Sequence, residues 1–164
     1  MPLKFEELEV LRNAERIADN IWKDVIQWEP FASQVVGGQI ARAADSIGAN
    51  IAEAYGRFHY GEKLQFLYYA RGSLYETKYW LNRTIERELL PLNVGQRYAS
   101  ELTELARQLN ASLSTLKTKR LANQSNSSKI REAGSGFSPN PTDNESVSLF
   151  SDEDFEWLNL VIDQ

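Results

Sequence analysis

Cysteine is absent from this 164-residue chain, and histidine occurs once, at His59. Disulfide scaffolding, thiolate metal sites and cysteine nucleophiles are therefore excluded. A lone histidine has no second imidazole or thiolate with which to share a metal. Long hydrophobic runs are missing too, since no uninterrupted apolar stretch approaches the ~18 residues that a membrane span requires. The opening MPLKFEELEV is acidic and lacks the apolar core of a signal peptide. A soluble, cytoplasmic protein without membrane contact is expected. Glycine is sparse, and Gly37-Gly38 and Gly56 match no phosphate-binding loop. Proline occurs five times and serves as punctuation.

What is present is helical periodicity. Leu11, Ala14, Ala18, Ile21, Val25 and Trp28 share one face of a helix expected from about Phe5 to Trp28, which Pro30 ends. A second helix is expected from Ser33, as N-cap, to about Arg57. Gly37 and Gly38 weaken its start by roughly 1 kcal/mol each relative to Ala, which suggests a frayed turn or close approach of another backbone. A third follows the Tyr60-Gly61 break to about Glu88, with Leu64, Leu67, Ala70, Leu74, Leu81 and Ile85 inward. Beyond Leu90-Pro91-Leu92, a fourth runs from about Val94 to Lys119 on Tyr98, Leu102, Leu105, Leu109 and Leu116. Short connections make sequential helices antiparallel. The fold class is therefore all-α, an up-down-up-down antiparallel four-helix bundle over residues 1–120.

After Leu121 the composition turns to Ser, Asn, Gly and Pro. Residues 121–148 are expected to form a disordered linker. Residues 149–164 recover apolar side chains and are expected to form a short amphipathic docking helix bearing Phe155, Trp157, Leu158 and Ile162. Charge divides along the same boundary. Residues 1–120 hold 16 Lys and Arg against 15 Asp and Glu, or +1, while residues 121–164 hold 2 against 8, or -6. A near-neutral body is a weak platform for nucleic acid, which is held through many phosphate contacts.

The second helix carries two lines of side chains. Ile40, Ala44, Ile47, Ile51, Ala54 and Phe58 form a core seam. Gln39, Arg42, Ser46, Asn50, Glu53 and Arg57 form a polar line beside it. Ser and Asn are poor helix-interior residues because they compete for backbone groups, so their place mid-helix needs a reason in packing or in function. Glu53 and Arg57 have the favourable i, i+4 spacing for an ion pair. Glu53 and Glu76, on consecutive helices, would be the alternative acid–base pair. No Glu-x-x-His motif accompanies them, so a di-iron bundle does not fit. Without a nucleophile–base set or a metal set, no enzyme, catalytic residue or cofactor is expected.

The third helix has more aromatics than one core face can hold. Tyr68, Tyr75 and Tyr79 share one side with Gly72, and Phe66, Tyr69 and Trp80 lie with Ser73 on another. Aromatics with polar tips are favoured at interfaces, so these six residues are the candidate oligomer interface. A helix interior glycine would let a second backbone come close.

Gln39, Arg42-Ala43, Ser46-Ile47, Ala49 to Glu53, Gly56-Arg57, Phe66-Leu67, Ala70, Gly72-Ser73-Leu74 and Glu76 closely resemble the four-helix-bundle protein family first noticed as reading frames in intervening sequences of bacterial 23S rRNA genes. The accessory variability determinant of diversity-generating retroelements is similar. The resemblance spans about residues 5–120 and implies a non-enzymatic, cytoplasmic bundle that assembles as a ring-shaped homopentamer. In the retroelement branch it also implies binding to a reverse transcriptase and to nucleic acid through a basic surface. Arg42, Arg57, Arg71, Arg83, Arg87, Arg97 and Arg107 are the pool for such contacts here. Two positions depart from the family pattern: Ala41 stands where a second Arg is usual, and Ala54 where Gly is common. The alternative is a bundle acting only in protein–protein interaction.

Overall fold

The computed structural model describes residues 5–132, with side chains from Glu9 to Ser125. Among the described residues there is no strand. Helix α1 spans Phe5–Val25, α2 Pro30–Ala32, a π-helical turn Ser33–Gly37, α3 Gly38–Gly56, α4 Tyr60–Glu86 and α5 Leu92–Glu132. The α2, π-turn and α3 segments follow one another without a break, so the described residues form four rods. α1 packs on α3 and α5, and α4 packs on α3 and α5, so α1 and α4 lie across the diagonal. This is the antiparallel bundle that the periodicity predicts.

The four seams meet in one core. Ile17 and Ile21 of α1, Ile40, Ile47 and Ile51 of α3, Leu67, Leu74 and Leu81 of α4, and Leu102, Leu105 and Leu109 of α5 are all at most 2% exposed. Burying such a side chain contributes roughly 1.5–3 kcal/mol. Alanines fill the narrow levels at Ala14, Ala44, Ala54, Ala70, Ala99 and Ala106. Tyr98 is the bulkiest fully buried residue, and its hydroxyl donates to Asp24 Oδ2 across the bundle at 2.5 Å. Burial first, and the Asp24 carboxylate second, push its phenol well above the ordinary tyrosine range.

Several details differ from the sequence reading. α1 stops at Val25, and Ile26 to Trp28 form a turn, so Pro30 opens the next rod rather than breaking the first. Proline suits a first helical position because its missing N–H would have no partner there. Ser33 is consequently inside the rod and is no N-cap; Glu29 holds that position without a side-chain cap. Gly37 is required by packing, since a Cβ there would collide with Val25 Cγ1. The π turn at this contact adds a residue to the rod without a loop.

Phe58 is not part of the seam. Arg57 adopts an extended backbone after Gly56, the helical phase is lost, and Phe58 is 89% exposed. α4 ends in a Schellman turn, with Glu88 N–H donating to Ile85 O and Leu89 N–H to Thr84 O. The residue that this motif places in the left-handed region is usually glycine; here it is Glu88, at φ 57°. Finally, α5 continues through Glu132, past the expected end near Lys119 and into the segment expected to be linker. No Gly or Pro lies between Gly95 and Gly134, and Ser and Asn cost only a few tenths of a kcal/mol each in a helix. The expected docking helix at 149–164 lies outside the described residues.

Candidate interaction surface

The polar line of α3 does not face solvent alone. Asn50 donates from Nδ2 to its own helix at Ser46 O, 2.8 Å, and across to Ser73 Oγ of α4, 3.5 Å. Ser73 in turn donates to Tyr69 O at 3.1 Å, and Gln65 Nε2 donates to the Tyr69 hydroxyl at 2.7 Å. Thr77 donates to Ser73 O at 2.8 Å. The residues that are awkward inside a helix therefore supply a polar seam between α3 and α4, beside the apolar one. Arg57 pairs with Glu53 and stacks its guanidinium over the Phe66 ring, 4.6 Å from the centroid. The α3 exit is thereby tied to the start of α4 by charge and by a cation–π contact. Gln39 is half-buried, and Arg42 and Glu76 are exposed. Glu53 is committed to Arg57, which leaves the acid–base alternative with Glu76 without support.

The six aromatics of α4 divide differently from the two predicted faces. Phe66, Tyr68 and Trp80 pack against the rim of the core, and Tyr75 is half-buried. Both flanks of α4 are occupied, by α3 and by α5, so each absorbs aromatic side chains. Tyr69 and Tyr79 stay 50% and 52% exposed. They join one outward stripe, Gln65, Tyr69, Gly72, Glu76, Tyr79, at steps of +4, +3, +4, +3, and all five are exposed. A Cβ at Gly72 would meet nothing within 4 Å. Nothing among the described residues therefore requires glycine there.

The seven arginines are not gathered. Arg57 and Arg107 are paired with Glu53 and Glu104, Arg71 lies over Tyr68 at 5.3 Å, and Arg97 over Tyr98 at 5.1 Å. Arg83 is half-buried, while Arg42 and Arg87 are exposed on different rods. His59 is exposed and makes an edge contact with the Phe58 ring. Among the described residues no cluster of His, Asp and Glu could hold a metal, and no helix is long and apolar enough to cross a membrane. The sequence reading missed three buried polar side chains of α4, Thr77, Lys78 and Thr84. Burial pulls the Lys78 ammonium down to about 8.

An antiparallel four-rod bundle with a polar α3–α4 seam defines the structural class. The family model for the 23S rRNA-intervening sequence protein matches residues 6–111, and the chain belongs to that family. A solved structure from Bacteroides thetaiotaomicron, described as a protein of unknown function from the S23 ribosomal protein family, is similar at 25% identity with a TM-score of 0.60. The likeness covers 67% of this chain and 99% of that one. No curated protein matches.

Proposed function

We propose that this protein is a non-catalytic scaffold that assembles with copies of itself through the exposed stripe of α4. Gly72 carries the reading. A glycine in a helix interior costs about 1 kcal/mol relative to alanine, and its neighbours leave the space over it open. A second backbone lying between Tyr69 and Tyr79 would account for both the cost and the exposed tyrosines. The resemblance noted in the sequence makes a homopentameric ring the expected assembly. Sedimentation velocity at tens of micromolar should then show a discrete oligomer, and a monomer would overturn the proposal. Gly72→Ala gives a sharper arm. On a free surface it should stabilise the protomer by about 1 kcal/mol, whereas at an interface it should weaken assembly.

The action of such a scaffold is protein–protein interaction in a cytoplasmic setting. A role beside a reverse transcriptase and nucleic acid is the second reading, drawn from the retroelement relatives. Against it, four of the seven candidate arginines are already engaged within the bundle.

A further inference from the structure

The end of α5 is the part of the molecule least explained by the bundle. Asn13 meets Gln108 and Asp24 meets Tyr98. In antiparallel rods that register places Phe5, the start of α1, level with Leu116. Leu116 is also the last buried residue among the described side chains of α5, and Leu121 is 61% exposed. Lys117 sits 6.0 Å from the Tyr68 ring of α4; beyond it only the first turns of α4 run alongside. Continuation from the packed part of α5 spares this segment the cost of nucleation, but its Ser and Asn residues propagate a helix weakly, so a covering partner would stabilise it.

Its charge says which kind. Residues 105–131 contain Arg107, Lys117, Lys119, Arg120, Lys129 and Arg131 and no Asp or Glu. Arg107 is paired with Glu104 on the bundle, so the five others, all after Leu116, set the character of this arm. Residues 133–164 contain seven Asp and Glu and no Lys or Arg. The remainder, residues 1–104, holds 12 Lys and Arg against 15 Asp and Glu, or -3. An acidic segment has little to attract it on that body. A groove there of about 410 Å³, between α1 and α3, is rimmed by Glu15, Asp19 and Asp45 and would repel it.

We propose that the arm of α5 from Lys117 to Arg131 is the docking surface for this chain's own acidic segment, residues 143–163. The segment starts close behind Glu132, where the arm ends, and tethering at this range supplies an effective concentration on the order of millimolar. Weak individual pairings then suffice. Its apolar residues Phe155, Leu158 and Ile162 supply a counterpart to exposed Leu121. The arm lies beyond the family-matched residues 6–111, as does the segment, so the two form a unit added to the bundle.

The absence of cysteine allows a direct test in the full chain. Spin labels at Gln124→Cys and Ser151→Cys should give a short interspin distance at 0.05 M salt. Raising salt to 1 M, where the screening length falls to about 3 Å, should lengthen it. So should changing the acids between 143 and 163 to their amides, a variant that leaves the bundle intact. The distance should be unaffected by dilution with unlabelled protein. Loss of the signal on dilution would assign the contact to a second copy's tail and overturn the proposal. Distances indifferent to both salt and the amide changes would overturn it as well. An RNA duplex bound by the arm, in a chain whose tail makes no contact, would assign the arm to nucleic acid instead. None of these readouts depends on the stripe of α4, so self-assembly stands or falls separately.

Discussion

The two halves of α5 belong to one continuous helix and obey opposite rules. From Leu92 to Leu116 a residue turns inward at nearly every turn, through Tyr98, Leu102, Leu105, Leu109 and Leu113, and these are buried to 1% or less. From Lys117 onward the described residues are half-buried or exposed. Helical backbone alone therefore says little about what a segment contributes. The first half holds the bundle together; the second is carried by it.

That contrast is open to challenge in three ways. The largest effect should come from paired truncations. Leu109→Ala empties a core site and should cost roughly 2–5 kcal/mol, while Leu121→Ala should stay within about 0.5 kcal/mol. Urea unfolding of both variants measures the difference, and comparable losses would mean that the second half is also core.

A second contrast separates buried from exposed cations. Lys78 has its ammonium depressed to about 8 from 10.5. Below pH 8 the folded and unfolded chains both hold the proton. Between about 8 and 10.5 the unfolded chain holds it and the folded chain sheds it, so stability rises with pH through that window. At about 1.4 kcal/mol per pKa unit, the full rise is roughly 3 kcal/mol. Lys78→Met should abolish it, and Lys119→Met should not. Tyr98 acts in the opposite sense above about pH 10, where the unfolded chain loses a phenolic proton that the folded chain keeps. The comparison of wild type with Lys78→Met is therefore cleanest between pH 8 and 10 in chemical denaturation.

The smallest effect lies at the turn that feeds the first half. Glu88 pays for a left-handed backbone that glycine adopts freely. Glu88→Gly should stabilise the bundle by about 1 kcal/mol, read as a raised Tm. The same change after Ser125 should bring no gain, since glycine in a regular helix lowers stability.

Legibility in the sequence followed the same division. The seams of α3, α4 and α5 could be read because buried apolar residues recur at helical spacing, and Leu67, Leu74 and Leu81 needed no further information. Thr77, Lys78 and Thr84 could not be read that way. They are buried because α4 is flanked by two neighbours, which only the assembled bundle reveals. Phe58 continued the spacing of its seam and still lies outside it, because the break after Gly56 cancels the phase. Ser46 and Asn50 stand out in the sequence as residues in need of a reason, but Ser73 as the partner of Asn50 required the α3–α4 register. The Ser- and Asn-rich composition after Leu121 argues against helix, yet nothing in that stretch terminates one, so α5 runs on to Glu132.

The π turn at Ser33–Gly37 bears on how this chain tolerates insertion and deletion. Such a turn stores one surplus residue inside a rod that runs from Pro30 to Gly56. Removing a single residue there would leave α3 and its seam untouched. The turn would close up into ordinary α-helix, and the segments on either side would keep their phase, whereas the same deletion inside α3 would rotate one half of its seam by about 100°. A one-residue change of length is therefore tolerated at this turn and not elsewhere in the rod, with the contact of α1 on α3 preserved.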